Sequence, residues 1–477
     1  MKKLCLLLAA SLAATPWLHA TVRLPALFQD HLVLQRDAPV PVWGWAKPGE
    51  RVTVKLGAEK PVRTKADARG QWRVDLKRNH ASMRPVQLVV AGENTIVLND
   101  VLVGEVWVCS GQSNMERQLG PRPPQQPILH WAEEAAAANY PQLRMFTVRK
   151  ATADQPQTDC QGAWAVCSPS TVTDFSAVGY FFALKLYQEL DVPVGMIHSS
   201  WGGTVAEAWT SLDALAVNPA FDAIVHRRST ARAGNPNRAA VLYNAMIAPL
   251  IPYRIRGVIW YQGESNVSRA WQYRLLFPTL INDWRAAWHE GTFPFYYVQI
   301  APFRYGREDP RACPELWEAQ MMTLQVPHTG MAVLTDISDV HDIHPPNKKE
   351  VGRRLALWAL AKDYRHHLVF SGPLYQELKI EGAALRLSFQ YTGAGLATRD
   401  GAPPDSFEVA GVDRKFVPAH ARIEGDTVVV WSDTVSQPVA ARYAWRDDAQ
   451  PNLMNKEGLP ASPFRTDRWP AVTADRQ

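Results

Sequence analysis

Gly104-Glu-Val-Trp-Val-Cys-Ser-Gly-Gln-Ser-Asn-Met-Glu116 is the stretch on which the fold of this chain turns. Val106 to Cys109 is apolar and rich in β-branched residues, the pattern of a buried strand. Ser110, Gly111, Gln112, Ser113 and Asn114 then break the run with small and polar side chains. A hydroxyl at the tip of a buried strand, beside a Gly that permits a tight turn, is placed to act as a nucleophile. The spacing is not that of a Gly-x-Ser-x-Gly elbow, because Met115 stands where the second Gly would be. Taken alone, these residues fit an ordinary polar turn from strand to helix equally well.

The surrounding chain favours the nucleophile. From 101 to about 366 strands alternate with helices: apolar runs at Val192–His198, Ile255–Tyr261, Phe293–Ile300 and Met331–Thr335, with amphipathic segments at Phe175–Leu190, Tyr273–His289 and Cys313–Leu324 between them. Such alternation predicts an α/β fold, a parallel sheet covered on both faces, with ligands bound at the C-terminal ends of the strands. Each remaining polar motif falls at such an end. The second strand runs into His198-Ser-Ser-Trp-Gly-Gly-Thr-Val-Ala-Glu-Ala-Trp209, whose paired glycines let a backbone N–H approach a ligand oxygen, or simply form a tight turn. The third ends in Trp260-Tyr-Gln-Gly-Glu-Ser-Asn266. There Gln262 and Asn266 offer amide donors suited to an oxyanion hole, and Glu264 a carboxylate; the alternative is a polar loop capping the next helix.

The fifth strand is followed by Asp336-Ile-Ser-Asp-Val-His-Asp-Ile-His-Pro-Pro-Asn347, and the next helix opens with Asn347 as N-cap and Glu350 at the capping-box position. Residues two apart in an extended segment project to the same side, so Asp342 and His344 can be neighbours. A carboxylate beside an imidazole fixes its tautomer and stabilises the imidazolium, as a general base requires. The rival is a metal site from Asp339, His341, Asp342 and His344, which has no matching ligand cluster elsewhere in the sequence.

Four blocks in this order resemble the sialate O-acetylesterase family of SGNH-type hydrolases: Gly-Gln-Ser-Asn-Met-Glu, Trp-Gly-Gly-Thr-x-x-Glu-Ala-Trp, Trp-Tyr-Gln-Gly-Glu-Ser-Asn and Asp-Ile-His-Pro-x-Asn-Lys. The tail extends the resemblance through Arg442-Tyr-Ala-Trp445, Asn452-Leu-Met-Asn455, Gly458-Leu-Pro460 and Pro463-Phe-Arg-Thr466. It implies a flavodoxin-like SGNH hydrolase core flanked by β-sandwich-like accessory domains, and metal-independent removal of acetyl esters from sugars. It also implies Ser113 as nucleophile and His344 as base. Two positions depart from the pattern. His341 stands where the family usually has the orienting Asp, which leaves Asp342 or Asp339 for that task. Ser265 stands where the usual Asn donor would be, which leaves Gln262 or Asn266 to join the N–H groups of Ser113 and Gly203.

The rest of the 477 residues frames this core. Residues 1–20 read as a secretory signal: Lys2 and Lys3, an apolar run from Leu4 to Ala14, then Leu18-His19-Ala20. Periplasmic or secreted localisation is expected, and no later stretch has the apolar length of a membrane span. Losing 1–20 removes two Lys and no acid, taking the net charge from +5 to +3, too weak and too dispersed for a nucleic-acid partner. Residues 21–100 and 367–477 carry short alternating runs between Gly, Pro and Asn-rich turns, the texture of β-rich domains. Trp43 and Trp45 serve either a sugar site or a core there. Cys160 and Cys167 are close enough to close a disulfide loop, whereas Cys109 reads as a buried thiol.

Together these features predict an exported serine carbohydrate O-acetylesterase that needs no metal or other cofactor and takes an acetylated carbohydrate. The alternative from another class is a catalytically silent sugar-binding protein. A sialic acid substrate would call for a cation near Ser113, and Arg117 is the candidate. A neutral plant glycan such as xylan or xyloglucan would call for aromatic platforms, with Trp201, Trp209 and Trp260 the candidates. The sequence leans slightly to the neutral glycan.

Overall fold

The structure, a computed structural model, describes residues 22–230 and 232–476, so the expected signal segment lies outside the described residues. Its axis is the strand that contains Val106–Cys109. That strand is 17 residues long, Thr95–Gly111, and every position from Val101 to Gly111 is buried. Its first part pairs antiparallel with Ser82–Ala91; its second part is flanked in parallel by Val194–Ser200 and Gly257–Tyr261. Position 100/101 therefore falls inside a single strand, and one hydrophobic core runs from Val22 to Leu374.

Across the sheet the parallel strands lie in the order Thr329–Ala332, Phe295–Val298, Gly257–Tyr261, Thr95–Gly111, Val194–Ser200, Tyr140–Val148, with Gly162–Cys167 antiparallel at the edge. The last two strands are not among the runs read from the sequence, although Leu143 to Phe146 are buried in sequence. The remaining sheet elements lie within a few residues of their predicted bounds, as do the helices Ala177–Leu190, Ala270–Trp288, Ala312–Met322 and Lys348–Lys362. Helices cover both faces. On one, Trp107 packs edge-on against Phe182 at 5.0 Å between ring centroids. On the other, Trp260 meets Phe277 at 6.4 Å and Trp284 at 5.7 Å. Burying a large ring of this kind stabilises the fold by roughly 2–3 kcal/mol.

Two four-stranded antiparallel sheets and the two-stranded pair Leu396–Thr398 with Leu453–Asn455 carry the C-terminal region, the first four-stranded sheet built on Leu374–Glu381, Ala384–Gln390, Thr427–Trp431 and His420–Glu424, the second on Phe407–Ala410, Ala440–Tyr443 and Phe464–Arg465 with Val417–Pro418. Leu385, Leu387, Val428 and Val430 from the first share a core with Phe407, Val409, Tyr443 and Phe464 from the second. The fold is thus mixed α/β, a large mixed sheet with additional antiparallel sheets. All four described cysteines are free thiols, so Cys160 and Cys167 are not bridged; Cys109 is buried as expected. Trp43 serves packing, edge-on to Phe28 at 4.8 Å. No helix among the described residues is long and apolar enough to cross a membrane.

Candidate active site

The polar motifs meet at the C-terminal end of the long strand, where the strand order changes direction. Gly111 makes the turn there at φ +137°, and a Cβ at this position would sit 2.1 Å from the Tyr261 carbonyl oxygen. Only glycine allows that approach. The N–H of Gln112 then donates to the same carbonyl at 2.9 Å, and Ser113 opens the short helix Ser113–Glu116. Ser113 Oγ lies 3.0 Å from His344 Nε2, although 231 residues separate the two in sequence. His344 comes from the loop before Lys348–Lys362. That helix is capped as expected, the Asn347 side chain accepting the Glu350 N–H at 3.2 Å. Glu350 does not complete the capping box; its carboxylate pairs with Arg353 and Arg354 instead.

Burial, with the Lys348 ammonium adding to it, holds the pKa of His344 below the usual 6.5, against the pull of Asp342. The imidazole is therefore neutral at neutral pH and able to accept a proton. Asp342 Oδ1 stands 3.7 Å from His344 Nδ1, an ion-pair distance rather than a hydrogen bond, and accepts the His344 backbone N–H at 2.8 Å. Asp339 is spent on the loop, its Oδ1 taking the His341 N–H at 2.9 Å. Of the two candidate acids, Asp342 is the one beside the imidazole.

Gly203 is exposed at φ +75°, with open space where a Cβ would stand. The turn that presents it is anchored to the Ser113 helix, because Glu116 Oε2 accepts the Gly202 N–H at 2.5 Å. The other carboxylate oxygen of Glu116 holds Lys150 Nζ and an Arg122 nitrogen, both at 2.8 Å. Gln262 and Asn266 are not free donors. Gln262 Nε2 is committed to Thr204 O and Asn266 Oδ1, and Asn266 Nδ2 to Glu207, all out of solvent. These amides brace the turn from beneath. The side-chain amide that remains beside Ser113 is Gln112, which the sequence reading passed over. Its Oε1 faces the N–H groups of Gly263 and Ser265 at 3.4 and 3.3 Å, and among the described residues no acceptor takes its Nε2.

Four residues expected near the substrate change role. Arg117 is 1% exposed and its guanidinium donates to the carbonyls of Gln118, Gly120 and Gln126, so it is a structural brace and cannot meet a sugar carboxylate. Glu264 is buried behind the nucleophile, where its Oε1 accepts the Asn114 amide at 2.7 Å. Trp209 and Trp260 are fully buried and pack edge-to-face at 6.2 Å, as core. Trp201 alone of the three tryptophans is partly exposed, with the Lys150 ammonium 5.5 Å over its ring. Among the described residues no three His, Cys, Asp or Glu side chains stand together as a metal site needs.

Residues 103–361 match the family described as "Carbohydrate esterase, sialic acid-specific acetylesterase". The sialate O-acetylesterase of Homo sapiens is 31% identical over 498 residues, covering 93% of this chain and 92% of that protein. That of Mus musculus is 30% identical, covering 89% of each. The chain belongs to the sialic acid-specific acetylesterase family. This acetylesterase is also similar to the solved structure of XAC1771, a carbohydrate acetylesterase from Xanthomonas citri, at 41% identity and TM-score 0.87 over 94% of this chain and all of that one. As an acetylesterase of this family the chain is a carboxylic ester hydrolase acting on carbohydrate, and Ser113, His344 and Gly203 all lie inside or beside the matched segment's strand ends.

Proposed function

We propose that the acetylesterase works through a serine acyl-enzyme on an SGNH-type hydrolase core, and that the 3.0 Å contact between Ser113 Oγ and His344 Nε2 carries this reading. His344 takes the hydroxyl proton as Oγ attacks the acetyl carbonyl, and the oxygen becomes an oxyanion. The N–H groups of Ser113 and Gly203, with Gln112 Nε2 in place of Gln262 or Asn266, hold that charge. His344 passes its proton to the departing sugar hydroxyl, leaving acetyl-Ser113. Water, deprotonated by His344, attacks the acetyl group; His344 returns that proton to Ser113 Oγ as the bond to it breaks, and acetic acid leaves to ionise to acetate. Asp342 supports the imidazolium through space. Stopping the reaction after brief exposure to 4-nitrophenyl acetate tests the scheme. Mass spectrometry should find one acetyl group on the Ser113 peptide, and a fully active Ser113→Ala variant would remove the mechanism. A silent sugar-binding protein would show no turnover of the same ester.

In this reading residues 1–20 direct export to the periplasm or beyond, and 101–366 form the esterase core, joined to the β-rich region 21–100 through the strand Thr95–Gly111 and a shared core and followed by a β-rich region at 367–477. The substrate is an acetylated neutral glycan of the xylan or xyloglucan type, which the burial of Arg117 supports. A specific observation favours acetylated sialic acid as the second reading: Arg122 and Lys150, each 40% exposed, stand at Glu116 near Trp201 and offer cations for a carboxylate. Parallel assays on acetylated xylan, xyloglucan and 9-O-acetylated sialic acid separate the two. Preference for the sialic acid, lost in Arg122→Ala or Lys150→Ala, would select the second.

A further inference from the structure

Behind Ser113 lies a buried charge that the acyl-enzyme scheme does not use. Lys348, the first residue of its helix, is 0% exposed. Its ammonium donates to Asn114 Oδ1 at 2.5 Å, and Asn114 is the residue after the nucleophile. The same amide donates through Nδ2 to Glu264 Oε1 at 2.7 Å and to the carbonyl of Ile343, the residue before His344, at 2.9 Å. Asn114 thus joins three segments: the nucleophile turn, the third-strand motif and the loop that carries the base. An ammonium has donors and no acceptor, so it can meet only the oxygen of that amide. Lys348 therefore settles which way Asn114 faces, and with it the contact to the loop that carries His344. One Glu264 oxygen has no hydrogen-bond partner among the described residues, so Lys348 is also the nearby charge that balances a buried carboxylate.

We propose that Lys348 is a positioning residue for this esterase: it fixes the Asn114 bridge between nucleophile and base, and sets a positive charge behind that bridge. The inference rests on Ser113 and His344 acting as proposed above. The charged groups facing His344 are Lys348, Arg117 and Arg122, which disfavour the imidazolium, and Asp342, which favours it. Burial lowers the pKa of Lys348 itself to about 7, with Glu264 opposing. Below that pH, where His344 titrates, the ammonium is intact and its repulsion is felt.

The test is the pH profile of kcat/KM for 4-nitrophenyl acetate in Lys348→Met, Lys348→Gln and Ser113→Ala, each checked for a folded state by thermal unfolding. Loss of the charge should move the acid limb of both Lys348 variants up by about 0.5–1 pH unit. Gln keeps an N–H for Asn114, so kcat should fall by about tenfold or less in Gln and by more in Met, with KM little changed in either. If Met does not fold, the Gln variant decides. An acid limb at the wild-type position in a folded Gln or Met variant overturns the proposal. A fully active Ser113→Ala variant would instead show that the acyl-enzyme reading itself had failed.

Discussion

Replacing Glu116 with Ala should disable the esterase without touching substrate or base. Glu116 ties the Ser113 helix to the Gly202-Gly203 turn, accepting the Gly202 N–H at 2.5 Å while Lys150 and Arg122 grip its other oxygen at 2.8 Å. A hydrogen bond to a charged partner contributes about 1.5–3 kcal/mol. If that energy holds the Gly203 N–H where the oxyanion forms, its loss appears in the transition state. At about 1.4 kcal/mol per decade, kcat falls roughly 10- to 150-fold with KM little changed. Glu116→Gln keeps an acceptor for Gly202 but loses the charge, so its loss should stay within about tenfold. The cation contacts are half exposed and add only about 0.2–1 kcal/mol each to stability. Burial tends to raise the Glu116 pKa, but Lys150, Gly202 and Arg122 outweigh it and hold the carboxyl below its usual 4.5. The stability it contributes is accordingly present above about pH 4.5 and lost as pH falls through the lowered value. Steady-state kinetics beside thermal unfolding make the measurement. An Ala variant with kcat within threefold of wild type, equally stable, would refute the anchoring role.

Four other outcomes follow from the same geometry. Ser113→Ala and His344→Ala should each cost several orders of magnitude in kcat, and the double variant should be little worse than either, whereas additive losses would deny the pair's cooperation. Arg117→Ala should lower stability by about 2–4 kcal/mol, since three carbonyls lose their donor, yet leave the preference between sialic acid and xylan esters unchanged in a competition assay. The acid limb of kcat/KM should lie below pH 6.5, because burial and Lys348 depress His344; activity, and the stability linked to the neutral ring, which is full above pH 6.5, both decline as pH falls through the lowered pKa. A strong chelator should leave turnover unchanged, and activity lost to it and restored by zinc or manganese would point to metal-assisted hydrolysis.

The local sequence by itself determined the strand at Val106–Cys109, the turn after it, the alternation of strands and helices and the cap at Asn347. Each of these depends on neighbours within a few residues: apolar run length, a Gly, a side chain reaching three positions on. It also placed the motifs that hold Ser113 and His344 at strand ends of a parallel sheet, which converge, while the pairing of the two as nucleophile and base came from the resemblance to the family. What the tertiary structure alone decided was which polar groups stay free. Gln262, Asn266, Glu264 and Arg117 look in the sequence like donors and charges waiting for a ligand, but partners far along the chain consume them. Conversely, Gln112 reads as part of a turn until its oxygen is seen facing two distant N–H groups, and nothing local to Lys348 shows that its ammonium is buried behind Ser113. Whether a polar side chain serves the fold or the chemistry is set by the hydrogen bonds it makes across the chain. Those are fixed only when strands remote in sequence lie side by side.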